Sequence, residues 1–231
     1  MKYFNPYYWL RKIFVSRFFQ SFFFNKDSLR KLVFKSIYKS NHWNAHRKYD
    51  SEINSVSGTG SNPKTLTTIN LVEKICEFIN NNNINEIVDA PCGDCAWVKE
   101  IWKQFPKIKY QGIDIVDEII ESNKTKYEGS NIRFACLDIL KLTLLPKCDL
   151  LILRDFVIHL PIEDINILLN LIKKSQVKLF AINSYSSVTN NTDMATGNHR
   201  KINLFASPFN LSNPIYKFKD QESEFCIFIN K

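Results

Sequence analysis

From Pro63 onward the chain alternates short apolar runs with longer amphipathic segments, and this alternation constrains the fold more than any other feature. The runs Glu86–Asp89, Lys109–Ile115, Ile132–Leu137, Asp149–Leu153 and Val177–Asn183 are short and mostly apolar, as strands buried on both faces are. Between them, Cys95–Phe105, Asp117–Tyr127 and Pro161–Lys174 read as helices. The last of these places Ile165, Leu168, Leu169 and Ile172 on its inner side. Ahead of them Pro63–Asn80 reads as a helix with proline in its first turn and a run of Asn as its terminator. Strands that alternate with helices predict an α/β, Rossmann-like architecture, a parallel sheet with helices on both faces. Ile215–Lys219 and Phe225–Ile229, separated by a polar turn, predict a terminal β-hairpin that adds an antiparallel strand.

Charge divides the chain in two. The net charge is +8, but Met1–Lys48 carries eleven basic residues against one acid, while the remainder holds 20 basic and 22 acidic residues. Residues 1–48 therefore read as a basic aromatic helical arm and 49–231 as a nearly neutral domain, which gives no electrostatic case for nucleic acid. Two helices are predicted in the arm, Tyr7–Phe24 and Asp27–Lys39. The second places Leu29, Leu32, Val33 and Ile37 opposite Arg30, Lys31 and Lys35. Aromatic anchors beside cations suit peripheral membrane contact through residues 1–39, and the same pattern suits a lid packed on its own domain with its cations solvated. Arg11, Lys12 and Arg17 interrupt the N-terminal apolar stretch, so it does not read as a signal peptide. A cytoplasmic chain, soluble or peripheral on the inner face of a membrane, is the expectation. The six cysteines are then read as free thiols.

In an open parallel sheet, ligands bind beyond the carboxyl ends of the strands, so the residues to read are those that follow each strand. After the first strand come Asp89, Ala90, Pro91, Cys92, Gly93, Asp94, Cys95, Ala96 and Trp97. One glycine among small neighbours lets a ligand approach the backbone, and Asp94 is placed to contact a ligand or to cap the next helix. Asp114, followed by Ile115, ends the second strand, where a carboxylate can grip ribose hydroxyls. Asp138, followed by Ile139, comes after the third and is placed to accept from an exocyclic amine. Arg154 and Asp155 follow the fourth, with His159 one helical turn on. The loop lacks the three glycines of a dinucleotide site, and carboxylates at Asp89 and Asp94 would repel a pyrophosphate. Carboxylates suit a cationic, phosphate-free nucleoside. Cys92 and Cys95 have the spacing of a redox pair, but a close-approach loop explains their small size; no second Cys pair suggests zinc, and no metal site is expected. The lone histidines His42, His46 and His199 read as surface residues.

At these residues the sequence resembles class I S-adenosylmethionine-dependent methyltransferases, with Val88–Trp97 similar to the family's first motif. It is most similar to a bacterial-type subgroup with an SGxGS segment (here Ser57 to Ser61), a DAPCGD loop and an RDxxxHL segment. A late segment matches as well: Asn191–Gly197, Arg200, Asn203-Leu204 and Pro208–Leu211. Thr59 and Cys95 depart from the subgroup, standing where Pro and an aromatic or Gly are expected. The resemblance implies the seven-stranded methyltransferase sheet and S-adenosylmethionine as cofactor. It places Asp89 and Gly93 in the methionine-binding loop, Asp114 on the ribose and Asp138 near adenine. The position of Ser57, Gly58 and Ser61 just before the first core helix suits a cofactor lid, and the same segment also reads as an ordinary flexible turn. The acceptor, a small-molecule or glycan hydroxyl, is expected over Arg154, Asp155 and His159, with His159 or Asp155 taking its proton. The competing reading is a non-catalytic, membrane-associated interaction protein on a methyltransferase scaffold. Oligomeric state has no signal in the sequence.

Overall fold

A computed structural model describes residues 12, 13, 16, 26–44 and 55–231. The first predicted arm helix, Tyr7–Phe24, lies outside the described residues apart from three positions. Strands β1 (Glu86–Asp89), β2 (Lys109–Asp114), β3 (Ile132–Cys136), β4 (Cys148–Leu153), β5 (Val177–Ser184), β6 (Tyr216–Asp220) and β7 (Ser223–Ile229) form one seven-stranded sheet in the order β3-β2-β1-β4-β5-β7-β6. β1 to β5 pair in parallel, and β7 lies antiparallel between β5 and β6. The expected α/β sheet and its terminal hairpin are both present. The chain runs outward from β1 to β3 and then returns to β4 beside β1. That reversal opens the crevice in which ligands bind in such sheets.

The helices are α1 (Lys26–Lys39), α2 (Leu66–Asn81), α3 (Lys99–Gln104), α4 (Asp117–Tyr127) and α5 (Ile162–Lys174). Successive strand residues point to opposite faces, so Val88, Leu151 and Leu153 join one core and Ile87, Leu150 and Ile152 the other. The first core is covered by α5 and α1, through Ile165, Leu168 and Ile172 and through Leu29, Val33 and Ile37. The second is covered by α2, α3 and α4, through Leu71 and Ile75, Ile101 and Trp102, and Ile120. Among the described residues no helix is long and apolar enough to cross a membrane.

Three local expectations need correction. The predicted first core helix starts at Leu66 rather than Pro63, because the Thr65 side chain caps it by accepting from the Thr68 N–H. The next starts at Lys99 rather than Cys95, because Cys95 sits in the left-handed region at φ +56°, outside helical geometry. In α1 the predicted faces shift: Leu32 is exposed, whereas Arg30 is buried rather than solvated. The arm's second helix thus spends its apolar face on its own domain.

Candidate active site

The strand ends and α1 enclose a cavity of about 250 Å³. Its floor is the loop after β1, where Ala90, Pro91, Cys92, Gly93 and Trp97 all face it. The loop is held from below: the Cys92 N–H donates to the Ile113 carbonyl, and the Gly93 N–H donates to Asp114 Oδ2 at 3.1 Å. Gly93 has φ +52°, and a Cβ there would crowd the Ser57 side chain, so conformation and space both favour glycine. Asp114 lines the wall beside Ile115; its other oxygen accepts from the Val116 N–H at 3.0 Å. Burial pushes its carboxyl up to about 6, against the opposing pull of these backbone donors. Asp138 and Ile139 line the far end. The Asp138 carboxylate accepts from the Leu140 N–H at 3.1 Å and from Arg30 Nε at 2.8 Å.

Two expected ligand carboxylates take other positions. Asp89 is 1% exposed and lies behind the loop, outside the cavity wall, where it accepts from the Tyr110 hydroxyl at 2.8 Å. Burial pushes its carboxyl up to about 7. Asp94 also lies outside the wall. It accepts from the Val56 N–H at 2.7 Å, Ser55 Oγ at 3.1 Å and the Ala96 N–H at 3.3 Å, and so ties the 55–61 segment to the loop. That tether brings Ser57, Gly58 and Ser61 to the cavity wall.

On the other side stand Arg154, Asp155 and His159. Arg154 is forked onto Asp220 by two bonds of 2.9 Å and lies over the Trp97 ring, 5.1 Å from its centroid. Asp220 also accepts from Asn183 Nδ2, and Asn183 Oδ1 accepts from the Asp155 N–H at 2.9 Å. This buried frame holds Asp155 at φ +52°, a conformation that costs a non-glycine residue about 1–2 kcal/mol. Burial raises the Asp155 carboxyl. The 3₁₀ turn Val157–His159 then presents His159, whose Nδ1 is 2.8 Å from the Asn198 carbonyl oxygen. A carbonyl only accepts, so Nδ1 carries the proton and Nε2 is left as the ring's acceptor. Burial pushes His159 down to about 4, leaving the ring neutral near pH 7.

Sequence reasoning missed several wall residues. Tyr38 and Trp43 enter from α1 and the turn after it, Tyr185 and His199 from the long loop after β5, and Gln221 from the hairpin tip. His199, read as a surface residue, is exposed but also borders the cavity. Asn183 and Asp220 were missed too, although Asn183 stands at a strand end, where the same rule applies. The usable signal in α1 was the spacing of Arg30, Phe34 and Tyr38, which repeats every four residues and puts all three on one helix face.

Residues 87–175 match the family model described as a methyltransferase domain. Over 67 residues, 29% of this chain and 24% of its relative, the sequence is 36% identical to a malonyl-[acyl-carrier protein] O-methyltransferase from Acetivibrio thermocellus. Over 79 residues, 34% of this chain and 29% of the relative, it is 30% identical to ribosomal RNA small subunit methyltransferase A from Mycoplasma capricolum. The matches thus span less than a third of either relative. The fold is similar to that of magnesium protoporphyrin IX methyltransferase from Synechocystis PCC 6803, crystallised with bound SAM. The TM-score is 0.57 at 12% identity, covering 87% of this chain and 97% of that one. The architecture is that of the Rossmann-like methyltransferases.

Proposed function

We propose that the chain is an S-adenosylmethionine-dependent methyltransferase acting on a hydroxyl of a small molecule or glycan. One observation carries the reading: the Gly93–Asp114 pair and a neutral His159 face the same cavity. The donor set fits the cofactor. Carboxylates Asp114, Asp138 and Asp155 line the cavity, while its guanidinium groups are paired with Asp138, Asp164 and Asp220. Such a wall suits a cationic nucleoside better than a phosphorylated one. Asp114 would hold the ribose, Asp138 the base and the Gly93 loop the amino-acid end.

S-adenosylmethionine supplies an electrophilic methyl group on a sulfonium. The chain's own work is to position a hydroxyl and take its proton. His159 Nε2 accepts that proton, and the Asn198 carbonyl, holding Nδ1–H, steadies the imidazolium formed. Asp155 and Arg154, fixed by Asn183 and Asp220, orient the acceptor. The segment 57–61 and the loop after β5 exclude water. An O-methyltransferase among the curated relatives supports oxygen as the acceptor atom.

Titration calorimetry with S-adenosylhomocysteine tests the cofactor, and a co-crystal shows the space left for the acceptor. Once the acceptor is known, His159→Ala should lower turnover by about 10²–10⁴ with cofactor affinity unchanged. Because His159 is held near 4 rather than about 6.5, its lone pair stays available down to weakly acid pH. At saturating cofactor, turnover should therefore be flat between pH 8 and pH 6. A fall centred near 6.5, or normal turnover in His159→Ala, would remove His159 as the base.

A further inference from the structure

The nucleotide-binding sheet accounts for the floor of the cavity but not for the wall that α1 adds. Arg30, Phe34 and Tyr38 all line the cavity and follow one another at four-residue spacing, so they form a stripe about 12 Å long on one helix face. At one end of the stripe Arg30 holds Asp138, on the side assigned to the base. At the other, Tyr38 Oη lies 3.2 Å from Ser57 Oγ and 3.3 Å from where a Cβ on Gly93 would stand. The stripe therefore runs from the base end of the site to its amino-acid end.

The protons at the second end can be counted. The Asp94 N–H donates to Ser57 Oγ at 2.9 Å; either hydroxyl of the Ser57–Tyr38 pair can donate to the other, and a ligand that accepts from Tyr38 selects the arrangement in which Ser57 is the donor. The tyrosyl proton is then left for a ligand. Burial raises the Tyr38 hydroxyl well above its usual range, so it remains a donor. The neighbouring acids are already engaged: Asp94 by Val56, Ser55 and Ala96, and Asp114 by Gly93 and Val116. With Ser57 as the donor of that pair, this end of the cavity offers a hydroxyl donor with its own acceptor side satisfied.

We propose that α1 is a ligand-contacting wall of the cofactor site and that the Tyr38 hydroxyl donates to the carboxylate of the amino-acid end of S-adenosylmethionine. The inference rests on the cofactor reading above. It joins the arm to the catalytic unit, because the helix that completes the grip precedes the domain boundary expected from sequence.

Two probes separate the ends of the ligand. S-adenosylhomocysteine carries the amino-acid end, and 5′-methylthioadenosine is the same nucleoside without it. Tyr38→Phe keeps the ring, which meets the Trp43 edge at 4.8 Å, so its packing is preserved. In calorimetry on the full chain, Tyr38→Phe should weaken S-adenosylhomocysteine roughly tenfold and leave methylthioadenosine unchanged. Ser57→Ala, which removes the orienting hydroxyl, should give a smaller loss with the same selectivity, and it serves as the test if Tyr38→Phe lowers the melting temperature. Equal losses for both probes would mean that Tyr38 only seats the helix. No loss for either would also overturn the proposal. Wild-type protein that binds the two probes equally well would overturn it and leave the nucleoside site standing; wild-type protein that binds neither would sink the cofactor reading itself.

Discussion

The floor and the α1 wall of the cavity meet the same ligand space but are held by different forces. The floor is seated on the strand ladder: the Cys92 N–H bonds the Ile113 carbonyl, the Gly93 N–H bonds the Asp114 carboxylate, Asn123 Nδ2 donates to the Gly93 carbonyl, and the strands beneath pair residue by residue. The wall rests on an apolar stripe and a few ionic contacts. Arg30 reaches Asp138 at 2.8 Å and Asp164 at 3.3 Å, all three nearly buried. Outside them Lys31, Lys35 and Lys39 form a solvent-side ladder with Asp117 and Glu118 at the start of α4. A floor with several anchors on a strand ladder keeps its frame when one side chain is lost. A wall whose inner ionic contacts converge on one buried cation depends more heavily on that side chain.

The largest expected effect follows directly. Arg30→Ala leaves Asp138 and Asp164 buried without their cation, and breaking such a pair typically costs about 3–5 kcal/mol. Denaturant titration should show that loss, and hydrogen exchange should show α1 amides losing protection while β1 to β5 keep theirs. Uniform loss of protection across the sheet would break the distinction between wall and floor.

The floor should respond in affinity rather than stability. Asp114→Asn should weaken S-adenosylhomocysteine by at least about tenfold, as losing a charge-assisted acceptor costs about 1.5–3 kcal/mol. Asp89→Asn, behind the loop and held by Tyr110, should leave affinity nearly unchanged. Equal effects would put Asp89 back in the site. The pH dependence has a definite sign: burial raises Asp114 to about 6, so the carboxylate acceptor is present above that value and lost as pH falls through it. Affinity should decline from pH 8 toward pH 5, and Asp114→Asn should flatten that profile.

The smallest effect belongs to the outer ladder. Lys35 bonds Asp117 and Glu118, but Lys35 is partly exposed and both carboxylates are nearly half exposed to solvent. Lys35→Ala should cost no more than about 1 kcal/mol, and the difference should shrink as salt is added. A loss comparable to that of Arg30→Ala would mean that the wall is held from outside.

Much of the floor was legible in the chain. The apolar runs of β1 to β5 give the sheet because burial on both faces requires them, and carboxylates just after a strand must stand at its carboxyl end. Asp114 and Asp138 were placed by that rule alone, as were Arg154, Asp155 and His159. Local pattern could not say which way a side chain turns once it arrives. Asp89 ends β1 as expected, yet it turns toward Tyr110, a partner supplied by the neighbouring strand. Asp94 was open between cap and ligand contact, and the 55–57 segment decided it. The buried role of Arg30 depends on two acids 108 and 134 residues away, and the frame around Asp155 joins β5 to the tip of the hairpin. Periodicity and turn chemistry are properties of neighbours in sequence, so the sequence by itself determined the elements and the strand-end residues. Which buried charge meets which is a property of neighbours in space, and only the tertiary structure decided that.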